Sequence, residues 1–380
     1  MRRALGLVVL IVMTVGLSAY AQDDAGVLKK WDFEDGLQGW QTLDPQAKLA
    51  VTAEEDAVYA GKQSLELMYR QRLPKSAKPE DIPGVAIVEL EGLPEGTKSL
   101  RFTVATGYSV PVIVALRERT EALYIAPVWS EVGDWNPVQL SLADFTLSGD
   151  GPKDDNNQLD PDQVQYIAIA DGSLFGRALA QQGIPIRVPE AAEVGIWLDE
   201  VILSSEEPDD GADPLPEEGA EEFAIDSGSS KTIHWLPLGG DNVSLLSTDA
   251  NGDSLGYLDV SFVNPARTIF AIMRNVSPGM LDGCKKLSFE VNSELPAMVA
   301  VALQQADQSR FMVLKQLKGG HEWQQIEVAF SEFTAQPGQQ GGGRPDPAQT
   351  TQIGFADVLG MMQNVMSANT WQIRKIKAHR

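Results

Sequence analysis

Asp134-Trp135-Asn136-Pro137-Val138-Gln139-Leu140-Ser141-Leu142-Ala143-Asp144-Phe145 returns later in the chain as Glu322-Trp323-Gln324-Gln325-Ile326-Glu327-Val328-Ala329-Phe330-Ser331-Glu332-Phe333. Each copy reads as a turn, then a strand, then a sharp exit. Val138, Leu140 and Leu142 alternate with polar or small residues, the period of a half-buried strand. The spacing is constant from Trp135 to Trp323 and from Phe145 to Phe333 (323 − 135 = 188; 333 − 145 = 188).

The neighbours of this stretch repeat as well. Leu100 to Val104 matches Leu287 to Val291, and Val112 to Arg117 matches Val299 to Gln304, both 187 positions on (287 − 100 = 187; 299 − 112 = 187). Ile167 to Asp171 matches Ile353 to Asp357 at 186 (353 − 167 = 186). The closing strands, Trp197 to Val201 and Gln372 to Ile376, lie 175 apart (372 − 197 = 175). Order is kept and only loop lengths drift, so a whole domain is duplicated in tandem. Within each copy, short alternating runs are separated by Gly, Pro, Asn and Asp, as in antiparallel sandwiches and barrels. The expected fold class is all-β, with two antiparallel β-sandwiches. One short helix is expected over Ser173 to Gln182. Trp40, Trp135, Trp323 and Trp371 are expected in the cores.

The 380 residues allow two domains of ordinary size, and 43% are hydrophobic, enough for two cores. A net charge of −23 argues against nucleic acid and anionic membrane as partners. Arg2 and Arg3, an apolar run from Ala4 to Val15, and Ala19-Tyr20-Ala21 make a secretory signal over 1–21. The mature protein is expected to be secreted or periplasmic, with no membrane attachment after cleavage. Cys284 is the lone cysteine, so no intrachain disulfide can form. The first domain is read over 22–204 and the second over 229–380. Between them, 205–228 is rich in Asp, Glu and Pro and carries no Lys or Arg, which reads as an extended, self-repelling linker.

Phe33-Glu34-Asp35-Gly36, Gly39-Trp40, Gly61-Lys62-Gln63-Ser64-Leu65, Trp135 to Phe145 and Asp199-Glu200-Val201 fall in a familiar order. The set resembles the galactose-binding-like jelly roll of many carbohydrate-binding modules. It is also similar to the complex I intermediate-associated 30-kilodalton protein domain. The resemblance covers most of 31–205 and the second copy more weakly. It implies one structural calcium in the first domain, held by oxygen ligands including Glu34 and Asp199. In the second copy Arg374-Lys375 stands where Asp199-Glu200 does, so no such site is expected there.

Chemistry is sparse. The three His are His234, His321 and His379; no H-E-x-x-H pattern and no G-x-S-x-G elbow occurs. Together with the resemblance to carbohydrate-binding modules, this makes non-catalytic binding of a polysaccharide or glycan the expected function. Aromatic faces and planar polar groups on the first domain's sheet would carry it, with Tyr69, Arg70, Tyr108, Arg117, Tyr124 and Trp129 as candidates. The alternative is a structural or protein–protein interaction module of the cell envelope, with a protein partner and no sugar site.

Overall fold

A computed structural model describes residues 26–72, 83–148, 154, 156–173, 194–213, 216–217, 219–249, 251–336 and 343–380. The expected signal segment lies outside the described residues, as does the expected helix apart from Ser173. Among the described residues, the first half contributes β1 (Val27–Trp31), β2 (Trp40–Gln41), β3 (Lys48–Thr52), β4 (Ser64–Tyr69), β5 (Val85–Glu89) and β6 (Ser99–Thr106). It continues with β7 (Val110–Glu118), β8 (Leu123–Ser130), β9 (Asn136–Ser141), β10 (Thr146–Leu147), β11 (Val164–Asp171) and β12 (Val194–Ser204). The second half contributes β13 (Glu222–Asp226), β14 (Leu236–Leu238), β15 (Asp241–Thr248), β16 (Ser254–Asn264), β17 (Phe270–Asn275) and β18 (Lys286–Ser293). Then follow β19 (Ala297–Gln305), β20 (Arg310–Leu317), β21 (Gln324–Ala329), β22 (Thr334–Ala335), β23 (Thr350–Asp357) and β24 (Ser367–His379).

Strand n of the first half corresponds to strand n + 12 of the second. The back sheet runs β3-β4-β12-β6-β9 with β1 on β12, and its counterpart runs β15-β16-β24-β18-β21 with β13 on β24. The front sheets run β10-β8-β7-β11-β5-β2 and β22-β20-β19-β23-β17-β14. Every pairing is antiparallel. The molecule is two tandem jelly-roll sandwiches.

Alternation fixes which side chains meet between the sheets. Val112, Val114 and Leu116 of β7 face inward, as do Val299, Val301 and Leu303 of β19. The sharp exit after β9 is a single 3-10 turn, Leu142–Asp144: Asp144 Oδ2 accepts the Ser141 N–H at 2.8 Å and Ser141 Oγ accepts from Ala143. Glu332 takes the Ala329 N–H at 2.9 Å in the second copy. Both last strands carry a bulge in which a non-glycine residue is left-handed: Glu200 and Lys375, each with φ 52°.

Trp40 and Trp371 are buried, as expected. Trp135 and Trp323 are not in the cores. Each stands three residues before an inward-facing strand residue, Val138 or Ile326, and in an extended chain an odd separation puts it on the opposite face. Trp135 packs on Tyr59, and Trp323 (36% exposed) packs on Tyr257 with the Arg374 guanidinium 3.9 Å from its ring centre.

The acidic segment is tied to both halves. Asp209 N–H donates to Gln139 Oε1 at 2.9 Å, and buried Asp210 accepts from Ser230 Oγ and the Ala212 N–H. Residues 222–226, inside the stretch read as linker, form β13 on the second back sheet.

Candidate ligand-binding cleft

The two front sheets turn their outer faces toward a common cleft of about 430 Å³. The outward residues of β7 and β8, Pro111, Ile113, Ile125, Pro127 and Trp129, form one wall with Tyr108 at its end. Leu236 and Leu238 of β14, Asn275 of β17, Gln352 of β23 and Asn242 contribute to the other. Apolar walls with a few polar groups are the usual composition of a small-molecule site. Among the described residues that line this cleft, none carries a charge.

Trp129 is 7% exposed and packs against the core of the second sandwich. Its N–H donates to the Ile233 carbonyl at 2.9 Å, and its Nε1–H donates to Glu131 Oε1 at 2.8 Å. The same oxygen accepts the Leu245 N–H at 2.6 Å, while Glu131 Oε2 accepts from Ser109 Oγ at 2.7 Å. Glu131 thus clasps the two halves beneath the indole.

At the other end Asp171 positions Tyr108. Its Oδ2 accepts the Tyr108 hydroxyl at 2.7 Å and the Tyr69 hydroxyl at 2.6 Å, and its Oδ1 accepts the Ser173 N–H at 2.7 Å. Burial, then the Asp171 charge, pushes the Tyr69 phenol far above its ordinary range, so it stays a donor. Asp357, at the matching position, accepts the Leu359 N–H at 2.8 Å in the same manner.

Two of the six expected ligand residues, Tyr108 and Trp129, line the cleft. Tyr69 and Tyr124 do not face a ligand: their strand parity turns them into the core, at 1% and 2% exposure. Tyr124 donates to Asp154 at 2.7 Å. Arg117 shares the outer face of β7 but stands past Ala115, outside the cleft lining, paired with Glu121 and lying over Tyr166. Arg70 is exposed just beyond the end of β4, a back-sheet strand, and so is not on the front face. The second-half contributors escaped sequence reading because they reach the cleft only through a docking of the two halves that no pattern in the chain announces.

Glu34 and Asp199 both serve the loop 59–63. Glu34 Oε1 accepts the N–H groups of Lys62 (2.6 Å) and Gln63 (3.0 Å). Asp199 accepts those of Tyr59 (3.2 Å), Ala60 (2.9 Å) and Glu200 (2.8 Å). Five N–H dipoles aimed at these oxygens repel a cation, and among the described residues no group of three or more acids, His or Cys is placed to hold one. The pair does not fit a calcium site as arranged.

Behind the cleft, and sharing Pro127 and Asn275 with it, is a chamber of about 70 Å³ between the halves. His234 lines it, 8% exposed, with Nε2 buried and unpartnered. Burial holds the imidazole below its ordinary 6.5; Arg274 also lowers it, while Asp144, Asp210 and Asp226 pull it up. A lowered folded value means the unfolded chain binds the proton more tightly. The stability this group supports is complete above pH 6.5 and is lost as pH falls below that. Relative to His234→Leu, the parent's thermal midpoint is therefore expected to lose ground from pH 7 to pH 5. Parallel profiles for the two proteins would remove His234 from the cause.

No protein-family model and no curated protein matches the sequence. Among solved structures, the chain is similar to a tandem pair of family 22 carbohydrate-binding modules from Paenibacillus barcinonensis, at 14% identity and a TM-score of 0.31, over 94% of this chain and 98% of that one. It is also similar to the family 11 carbohydrate-binding module of a cellulosomal cellulase of Clostridium thermocellum, at 17% identity and a TM-score of 0.33, over 43% of this chain and 96% of that one.

Proposed function

We propose that this is a secreted, non-catalytic carbohydrate-binding protein whose sugar sits against the front-sheet face of the first sandwich, where that face forms the cleft wall. The observation that carries the reading is the pairing of the Tyr108 and Trp129 rings with the side-chain amides of Asn242, Asn275 and Gln352 across one 430 Å³ opening. Sugar rings present C–H faces that pack on aromatic and aliphatic surface, and hydroxyls that bond to planar amides. Among the described residues, the lining holds no carboxylate, imidazole or thiol to act as acid, base or nucleophile.

The test is titration calorimetry of residues 22–380 with soluble neutral oligosaccharides, preceded by a glycan array. Tyr108→Ala is expected to weaken binding roughly tenfold or more, since it removes an anchor held by Asp171. Arg117→Ala is expected to leave affinity within about twofold, because its head is outside the cleft. Equal losses in both would move the site to the open sheet face. A protein-binding role has one observation behind it: Met361, Met362, Val365 and Met366 are 42–70% exposed, on and just after the short helix α1 (Leu359–Gln363). Failure of every sugar, with capture of a partner that Met366→Asp abolishes, would favour that role.

A further inference from the structure

We infer that Gln352 is the specificity residue of the cleft: its side-chain carbonyl selects an uncharged ligand that donates a hydroxyl proton. The inference concerns the same cleft as the sugar reading and narrows what it admits. On β23, Ile353 and Phe355 point into the core, so Gln352 points out of the sheet toward the cleft. Register places it beside Asn275 of β17, and its Nε2 donates to Asn275 Oδ1 at 2.9 Å. In this arrangement the amide nitrogen faces Asn275. This leaves Oε1 as an acceptor, and that atom is buried with no partner among the described residues.

A buried acceptor with no donor carries an unrecovered desolvation cost. A ligand hydroxyl supplies the missing bond; a ligand without one leaves the cost in place. Charge is selected against on separate grounds. Among the described residues, the cleft lining holds no Lys, Arg or His to pair an anion, in a chain of net charge −23. An anionic ligand would be desolvated against apolar walls beside a bare carbonyl oxygen. In the first copy the matching position, 186 residues earlier, is Tyr166, which lies under Arg117 and lines no part of the cleft (352 − 166 = 186). The two copies have thus diverged, one supplying rings to the shared site and the other its acceptor.

The test uses simple probes, so that it does not depend on the sugar reading. Cyclohexanol, methylcyclohexane and cyclohexanecarboxylate are titrated into the full chain while the Trp129 indole N–H resonance is followed by NMR. Cyclohexanol is expected to shift it saturably, and roughly 10-fold or more tightly than either of the others. In Gln352→Met, which keeps length and removes the acceptor, that preference is expected to vanish. The thermal midpoint should hold, since loss of the bond to Asn275 is offset by removal of an unpaired buried oxygen. Cyclohexanol binding that depends on Gln352, alongside silence from every glycan, would sink the sugar reading and leave this inference standing. Equal shifts from all three probes, a preference that survives Gln352→Met, or no shift from any probe would each overturn it.

Discussion

Trp129→Ala is expected to lower the stability of the coupled molecule by about 3–5 kcal/mol, the cost of emptying a buried aromatic site. The loss should be visible in both halves. The indole belongs to a first-half strand, yet packs into the second core. Its removal also takes one hydrogen bond from Glu131, which holds Leu245 across the junction. Calorimetry of the parent should show one coupled endotherm. The variant should show two, with the second sandwich melting earlier. An unchanged single transition would mean that the halves melt independently and that the junction adds little. Ligand binding offers a second check, because the cleft keeps its walls only while the halves stay docked. Trp129→Phe, which retains most of the buried area, should recover much of the coupling.

What the sequence revealed and what it hid divide along one physical line. Features set by local alternation were legible: Val112 to Arg117, Ile167 to Asp171 and their later copies are strands, and the two pairs are joined alike in the two halves. So was the duplication, because equivalent strands keep equivalent inward residues. Orientation relative to a second body was not legible. Trp129 reads as an outward aromatic on β8, and only the docking of the second sandwich explains its burial. Tyr69 and Tyr124 could have been removed beforehand: counting by two from Leu65 and Leu67, or from Ala126 and Val128, turns both inward. Glu131 and Gln352 had no sequence signal, since each acts through partners more than a hundred positions away or across a sheet edge. The acidic stretch misled in part, because composition reports the cost of ordering but not the bonds that Gln139 and Lys231 provide.

Asp199→Ala should destabilise the first sandwich by roughly 3 kcal/mol, through N–H groups rather than through lost ion binding. The side chain is fully buried and accepts from Tyr59, Ala60 and Glu200, the last of these in a left-handed bulge that this bond supports. Removing it orphans three donors and frees the loop that Glu34 caps from its other end. The pH dependence distinguishes this account from a metal site. Burial, outweighing the N–H bonds, raises the carboxyl from 3.8 to about 6. The folded state therefore holds the proton more tightly than the unfolded chain. The contribution is complete below pH 3.8 and declines as pH rises through about 6. Parent and variant should differ more at pH 4 than at pH 7, by something on the order of 2 kcal/mol. A calcium site would reverse this, since a cation favours the ionised carboxylate and the gap would widen with pH. A chelator is expected to leave the parent's melting midpoint unchanged at neutral pH. A drop on chelation, restored by added calcium, would show that the loop opens its N–H groups away from Asp199 and Glu34 to admit the ion.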